Sequence, residues 1–157
     1  MRFFHFSSRS HRKRRGGVAL VEFALVVSLL ILVVFGIIDF SVYGSNSLRL
    51  SNAAREGARA AAVGKTVEDI KSRVTRFASP LKLTSADGGN IELKSSSDGG
   101  ATYDTTLSNN TAGTGNSATA DQYVRVTVTA TNKSATGALG ILFNRTISSQ
   151  VVMRREG

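Results

Sequence analysis

Arg12-Lys13-Arg14-Arg15-Gly16-Gly17 leads directly into Val18-Ala19-Leu20-Val21-Glu22-Phe23, and the chain then stays apolar to Ile38, where Asp39 closes the run. Between Val18 and Ile38 the single ionisable side chain is Glu22. At about 1.5 Å per helical residue these positions span roughly 30 Å, the hydrocarbon thickness of a bilayer, so the run predicts a transmembrane helix over residues 18–38. The basic block in front predicts a cytoplasmic N-terminus by the positive-inside rule and puts everything after Asp39 on the far side of the membrane. Membrane lipid is the first expected partner.

Glu22 needs an explanation of its own. A carboxylate inside an apolar helix costs on the order of 2.5–3.5 kcal/mol on insertion scales, and such groups have a partner or a task. Two readings fit. If the chain is cut after Gly17, Val18 gains a free α-amino group one helical turn before Glu22, where ammonium and carboxylate can meet within one chain or between neighbours. If it is not cut, Glu22 sits at the headgroup boundary beside Arg15.

A basic leader ending in Gly17, with Glu22 and Phe23 as the fifth and sixth residues after it, resembles the class III signal of type IV prepilins. In that family a membrane-embedded aspartyl prepilin peptidase cuts after the glycine on the cytoplasmic face. Val21-Glu22-Phe23-Ala24-Leu25-Val26, Phe35-Gly36-Ile37-Ile38-Asp39-Phe40 and Asn52-Ala53-Ala54-Arg55-Glu56-Gly57-Ala58-Arg59 resemble, in order and spacing, the TadE-like pseudopilin family of the tight-adherence (Flp) pilus assembly system. The resemblance covers about Gly17 to Gly64. It implies cleavage between Gly17 and Val18, charge pairing in assembly at Glu22 with Phe23 beside it, and minor-subunit or assembly work in adherence or secretion. The partners it implies are the prepilin peptidase, other pilins and pseudopilins, and the inner-membrane pilus assembly platform. Ser28 departs from the family, many of whose members carry a proline in the apolar run. A serine can return its hydroxyl to a carbonyl one turn earlier and bend a helix only slightly, so a fixed proline kink is not expected.

The 157 residues allow one anchored domain. The net charge of +9 belongs mostly to the leader: Arg2, Arg9, Arg12, Lys13, Arg14 and Arg15 have no acidic counterpart there, and without them 14 basic face 11 acidic side chains, a net of +3. Nucleic acid is therefore not an expected partner. There is no cysteine, and both histidines, His5 and His11, lie in the leader. A cleaved chain would lack Cys-His pairs, Ser-His-Asp triads and most zinc sites, so neither a cofactor nor an enzyme activity is expected. Asp87, Asp98, Asp104 and Asp121 do not follow the twelve-residue calcium-loop spacing, and Asp-Gly turns account for Asp87 and Asp98. A secretory signal peptide is disfavoured because its apolar core runs about 7–15 residues, shorter than this one.

Beyond Asp39 the helix is expected to continue to about Gly64, a C-cap. Within Ala54-Arg55-Glu56-Gly57-Ala58-Arg59, the row of Ala54, Gly57, Ala58 and Ala61 lets another backbone approach closely, which suits packing against neighbouring helices. A solvated face for Arg55 to Arg59 is the alternative. Thr66 followed by Asp69 resembles a capping box, and Val67, Ile70, Val74 and Phe77 form an apolar stripe on a short helix ending before Pro80. Strands are expected at Leu81–Leu83, Ile91–Lys94, Tyr123–Thr129 and Thr146–Met153. Residues 105–120, nearly devoid of apolar side chains, read as a mobile loop. The apolar patch Gly137–Phe143 is expected to be buried. Three Asn-x-Ser/Thr triplets, beginning at Asn109, Asn132 and Asn144, read as coincidence for glycosylation in a prokaryotic context. The fold class is α+β: leader 1–17, transmembrane helix 18–38, helix extension 39–64, and an extracytoplasmic domain 65–157 with a short helix and an antiparallel β-sheet. An uncut anchored domain that binds an envelope partner through residues 105–120 is the competing reading.

Overall fold

A computed structural model describes residues 16–83, 86 and 89–156. The basic leader up to Arg15 and the expected Asp87-Gly88 turn lie outside the described residues. The first helix, α1, runs unbroken over Gly16–Ala62, and it holds no proline. The Ser28 hydroxyl donates to the Ala24 carbonyl oxygen at 2.7 Å, one turn back, and the helix passes through without a break. The chain forms two compact units, one ending at Val34 and one spanning Phe35–Gly157. In the first unit every side chain from Val18 to Val34 is exposed except the half-buried Val27. Among the described residues, α1 is the one helix long and apolar enough to cross a membrane.

In the second unit α1 ends as the sequence predicts. Gly64 adopts φ +82°, its N–H donates to Ala61 O, and Lys65 N–H donates to Ala60 O, the paired bonds of a Schellman ending. Arg155 Nη1 and Glu156 N–H both donate to Ala62 O, at 3.0 and 2.9 Å, setting a cation against the negative end of the helix. The Thr66 hydroxyl then accepts from Asp69 N–H and caps α2, Val67–Ala78.

Four strands make one antiparallel sheet: β1 Asn90–Ser96, β2 Thr105–Thr106, β3 Tyr123–Asn132 and β4 Arg145–Arg154, in the order β2-β1-β3-β4. β3 pairs with β1 on one side, Leu93 opposite Val126, and with β4 on the other, Ala130 opposite Ile147. Its alternation is complete. Val124, Val126, Val128 and Ala130 are buried, while Arg125, Thr127 and Thr129 between them are only half-buried. The buried face joins Leu50, Ala53, Ala54, Ala58 and Ala61 of α1 and Ile70, Val74 and Ala78 of α2 in one core.

Four expectations are corrected. Leu81–Leu83 forms no strand; Leu81 and Leu83 instead lean against the core from an irregular segment. Phe77 is exposed, with the Arg76 guanidinium 5.6 Å from its ring centre, because the buried stripe of α2 runs through Ile70, Val74 and Ala78. Residues 105–120 are not a free loop: Leu107, Asn116 and Ala118 are buried, and Asn109 bridges Asn116. The patch Gly137–Phe143 is not buried either, for its single turn α3, Gly140–Phe143, exposes Ile141 and Leu142.

At Gly57 α1 packs closely against the rest of the core. A Cβ there would collide with Val74 Cγ2 and stand 3.2 Å from Val126 Cγ1. Gly57→Val should therefore lower the stability of the detergent-solubilised chain by about 1–3 kcal/mol in urea unfolding, the usual cost of overpacking. Val74→Ala in the same chain should recover part of that loss. Fully additive costs would show that the two positions do not meet.

Candidate functional site

The residues that the sequence singles out fall at two levels along α1. At its head, Gly17, Val18, Glu22 and Phe23 are all exposed, Val18 at 65 % and Phe23 at 69 %. Val18 and Glu22 are four residues apart within one helix and so lie on the same face. A Cβ on Gly17 would meet nothing within 4 Å, so packing among the described residues does not require glycine there.

At the base of the domain lies Ala54-Arg55-Glu56-Gly57-Ala58-Arg59. Its small residues face inward: Ala54 and Ala58 are fully buried and Gly57 is closed off by Val74 and Val126, so the close approach this row permits is made within the chain. Arg55 and Arg59 are exposed, and Glu56 stands 4.0 Å from Arg73 of α2. Such a partly exposed pair contributes little.

Between the two levels is a site that the sequence reading passed over. Asp39 closes the apolar run yet is only 1 % exposed. One carboxylate oxygen accepts from the N–H groups of Ala135 at 2.8 Å and Thr136 at 3.0 Å. The other accepts from the hydroxyls of Ser134 at 2.7 Å and Thr136 at 2.8 Å. Removal from water pushes this carboxyl up; the Ser134 hydroxyl, both groups of Thr136 and the Ala135 N–H pull it down by more, and the net lies below the ordinary carboxylate value. Farther along α1, Asn46 Nδ2 donates to Asn132 Oδ1 at 2.7 Å, and Asn132 Nδ2 donates in turn to Phe143 O at 2.7 Å. Asn144 Oδ1 accepts from Ser134 N–H, and the Tyr43 and Phe143 rings lie 6.3 Å apart. The β3–β4 connection is thus fastened to α1 between Asp39 and Asn46. The available signal was an aspartate at the end of an apolar run together with the donor-rich Ser134-Ala135-Thr136-Gly137, but nothing in the order of residues says that the two meet.

The far end of α1 is fastened in the same way. Buried Asn116 donates to Ala61 O at 2.9 Å and Lys65 O at 3.0 Å, while Asn109 accepts from Val67 N–H and donates to Glu68 at 2.7 Å. The three asparagines that begin glycosylation triplets, Asn109, Asn132 and Asn144, all have their amides engaged in the fold.

These features define a class: an α+β domain that follows an N-terminal helix long and apolar enough to cross a membrane. The family model for TadE-like proteins matches residues 17–59, the stretch that holds the helix head, Asp39 and the small-residue base. No curated protein and no solved structure matches the chain.

Asp39→Asn should free the segment Ser134–Gly137 while leaving the sheet intact. An amide presents only one acceptor oxygen where the carboxylate has two, so hydrogen-exchange protection at Ala135 and Thr136 should fall by roughly tenfold or more. Since folding lowers the Asp39 pKa, its stabilising effect is complete above the ordinary carboxylate range and is lost as pH falls through the folded value. Protection at Ala135 should show this acid loss in the parent chain and not in the variant.

Proposed function

We propose that this chain is a membrane-anchored minor pseudopilin that works in the assembly of an Flp-type, tight-adherence pilus, in adherence or secretion, without catalysing a reaction itself. The observation that carries the reading is the match to TadE-like proteins over residues 17–59, which begins at the glycine of the expected leader junction. A prepilin peptidase cuts between Gly17 and Val18 at the cytoplasmic face of the inner membrane, and the domain after Asp39 stands on the extracytoplasmic side. The exposure of Gly17 and the absence, among the described residues, of a packing demand for glycine there support a requirement set by a peptidase's binding cleft.

The cut gives Val18 a free ammonium one turn from Glu22. In an apolar surrounding the two neutralise each other within a chain or between neighbours, and this relieves the cost of carrying Glu22 in the helix. Exposed apolar side chains from Val18 to Val34 then serve either lipid or the helices of other pilins and pseudopilins, as the subunit packs laterally or leaves the bilayer at the assembly platform.

The intact mass of the membrane-extracted chain, produced with and without a matching prepilin peptidase, tests this. Loss of residues 1–17 only when the peptidase is present is the expected result; a full-length mass in both preparations would contradict it. Glu22→Gln should leave the cleavage unchanged and lower the yield of surface pili, whereas normal piliation would remove the charge-pairing step.

A further inference from the structure

α3 is a single turn with two apolar side chains turned out from the protein, Ile141 at 97 % and Leu142 at 56 % exposed, while Phe143 turns in against Tyr43. This exposure is fixed by the fold. The Asn132 amide holds the Phe143 carbonyl, Asn144 N–H donates to Gly140 O at 2.8 Å, and Asp39 holds Ser134 to Thr136 just upstream. The position of the turn along α1 is fixed too. A Cβ on Gly36 would stand 3.6 Å from Leu139 Cδ1, and Tyr43 meets Phe143. Gly36 lies two residues before the end of the apolar run, or about 3 Å along the helix. The turn is therefore level with the place where α1 leaves the hydrocarbon, and Ile37 and Phe40 are exposed on α1 at the same height. Lys133 and Arg145, both exposed, flank the segment, in the arrangement of interfacial anchors whose apolar side chains enter the acyl boundary while cations stay with the headgroups.

We propose that Ile141 and Leu142 insert into the outer leaflet at the acyl–headgroup boundary, giving the domain a second contact with the bilayer besides α1. The inference rests on α1 spanning the membrane. Asp39 is then the tie that keeps this turn at the membrane surface, and the covering that water cannot give Ile141 comes from lipid.

The chain has no cysteine, so single substitutions in the full-length protein report one site each. Ile141→Cys, Ala112→Cys and Ile31→Cys would each carry an environment-sensitive fluorophore in phosphatidylethanolamine–phosphatidylglycerol vesicles. Nitroxide lipids labelled at a shallow or a deep acyl carbon serve as quenchers. Insertion to about 5–10 Å predicts blue-shifted emission at position 141 and roughly twofold stronger quenching by the shallow label, with water-like emission at Ala112→Cys. Ile31→Cys should be quenched most by the deep label. A water-like signal at 141 with Ile31→Cys still quenched would overturn the proposal and leave the anchor standing. A blue shift at 141 that ignores lipid quenchers and fades on dilution of the protein in lipid would mean contact with another protein, which also overturns it. Absence of quenching at 31 would overturn the anchor and the proposal together.

Discussion

Four hydrogen bonds to one carboxylate decide how this molecule meets its surroundings. Asp39 sits where an apolar helix has run out of apolar residues, and a carboxylate there must have water or fixed donors. The fold supplies donors from Ser134, Ala135 and Thr136, almost a hundred residues later in the chain. By satisfying the charge locally, the β3–β4 connection becomes part of the helix's exit from the apolar run. With that tie in place, Asn46, Asn132 and Asn144 fix the rest of the connection, and α3 is held at one height beside α1.

The same helix serves two surroundings with two kinds of sequence. Up to Ile38 most of its side chains are apolar and exposed, suited to a solvent of acyl chains or of other helices. From Leu50 to Ala62 its inward side chains, apart from Leu50, are alanine and glycine, because a sheet and α2 approach closely there and Val74 and Val126 fill the space. Small residues in a row on a long helix invite an intermolecular reading; here the neighbours belong to the same chain. The end of α1 is closed by groups brought from far along the sequence, Asn116 and Arg155, so the polar segment 105–120 and the chain after β4 both serve to terminate the first helix.

What the sequence made legible was whatever has a period or a local stop signal. The apolar run, the Gly64 ending, the Thr66 cap and the valines of β3 each follow from neighbours within a few residues, and each appears as expected. What it hid depends on partners distant in the chain. Residues 105–120 looked mobile because they lack apolar side chains, but Asn109 and Asn116 order them through backbone groups of other elements. Leu81–Leu83 alternates like a strand but pairs with none among the described residues, and Ile141 looked like core because composition does not say which side of a turn faces out. At the helix head Gly17 to Phe23 are neighbours in the chain, so their order can be read without the fold. Asp39 was readable only as the end of a run.

The central claim is that α1 passes from lipid to water at Asp39, with the domain on the extracytoplasmic side. Single cysteines along α1, probed in intact cells with a membrane-impermeant maleimide, test it most directly. Val33, Ser41 and Ser47 are all exposed on the protein itself, so any difference among them must come from what surrounds it. The account predicts prompt labelling at Ser41→Cys and Ser47→Cys and none at Val33→Cys until detergent is added. Equal labelling at all three positions, or labelling at Ser47→Cys only after the membrane is opened, would contradict it.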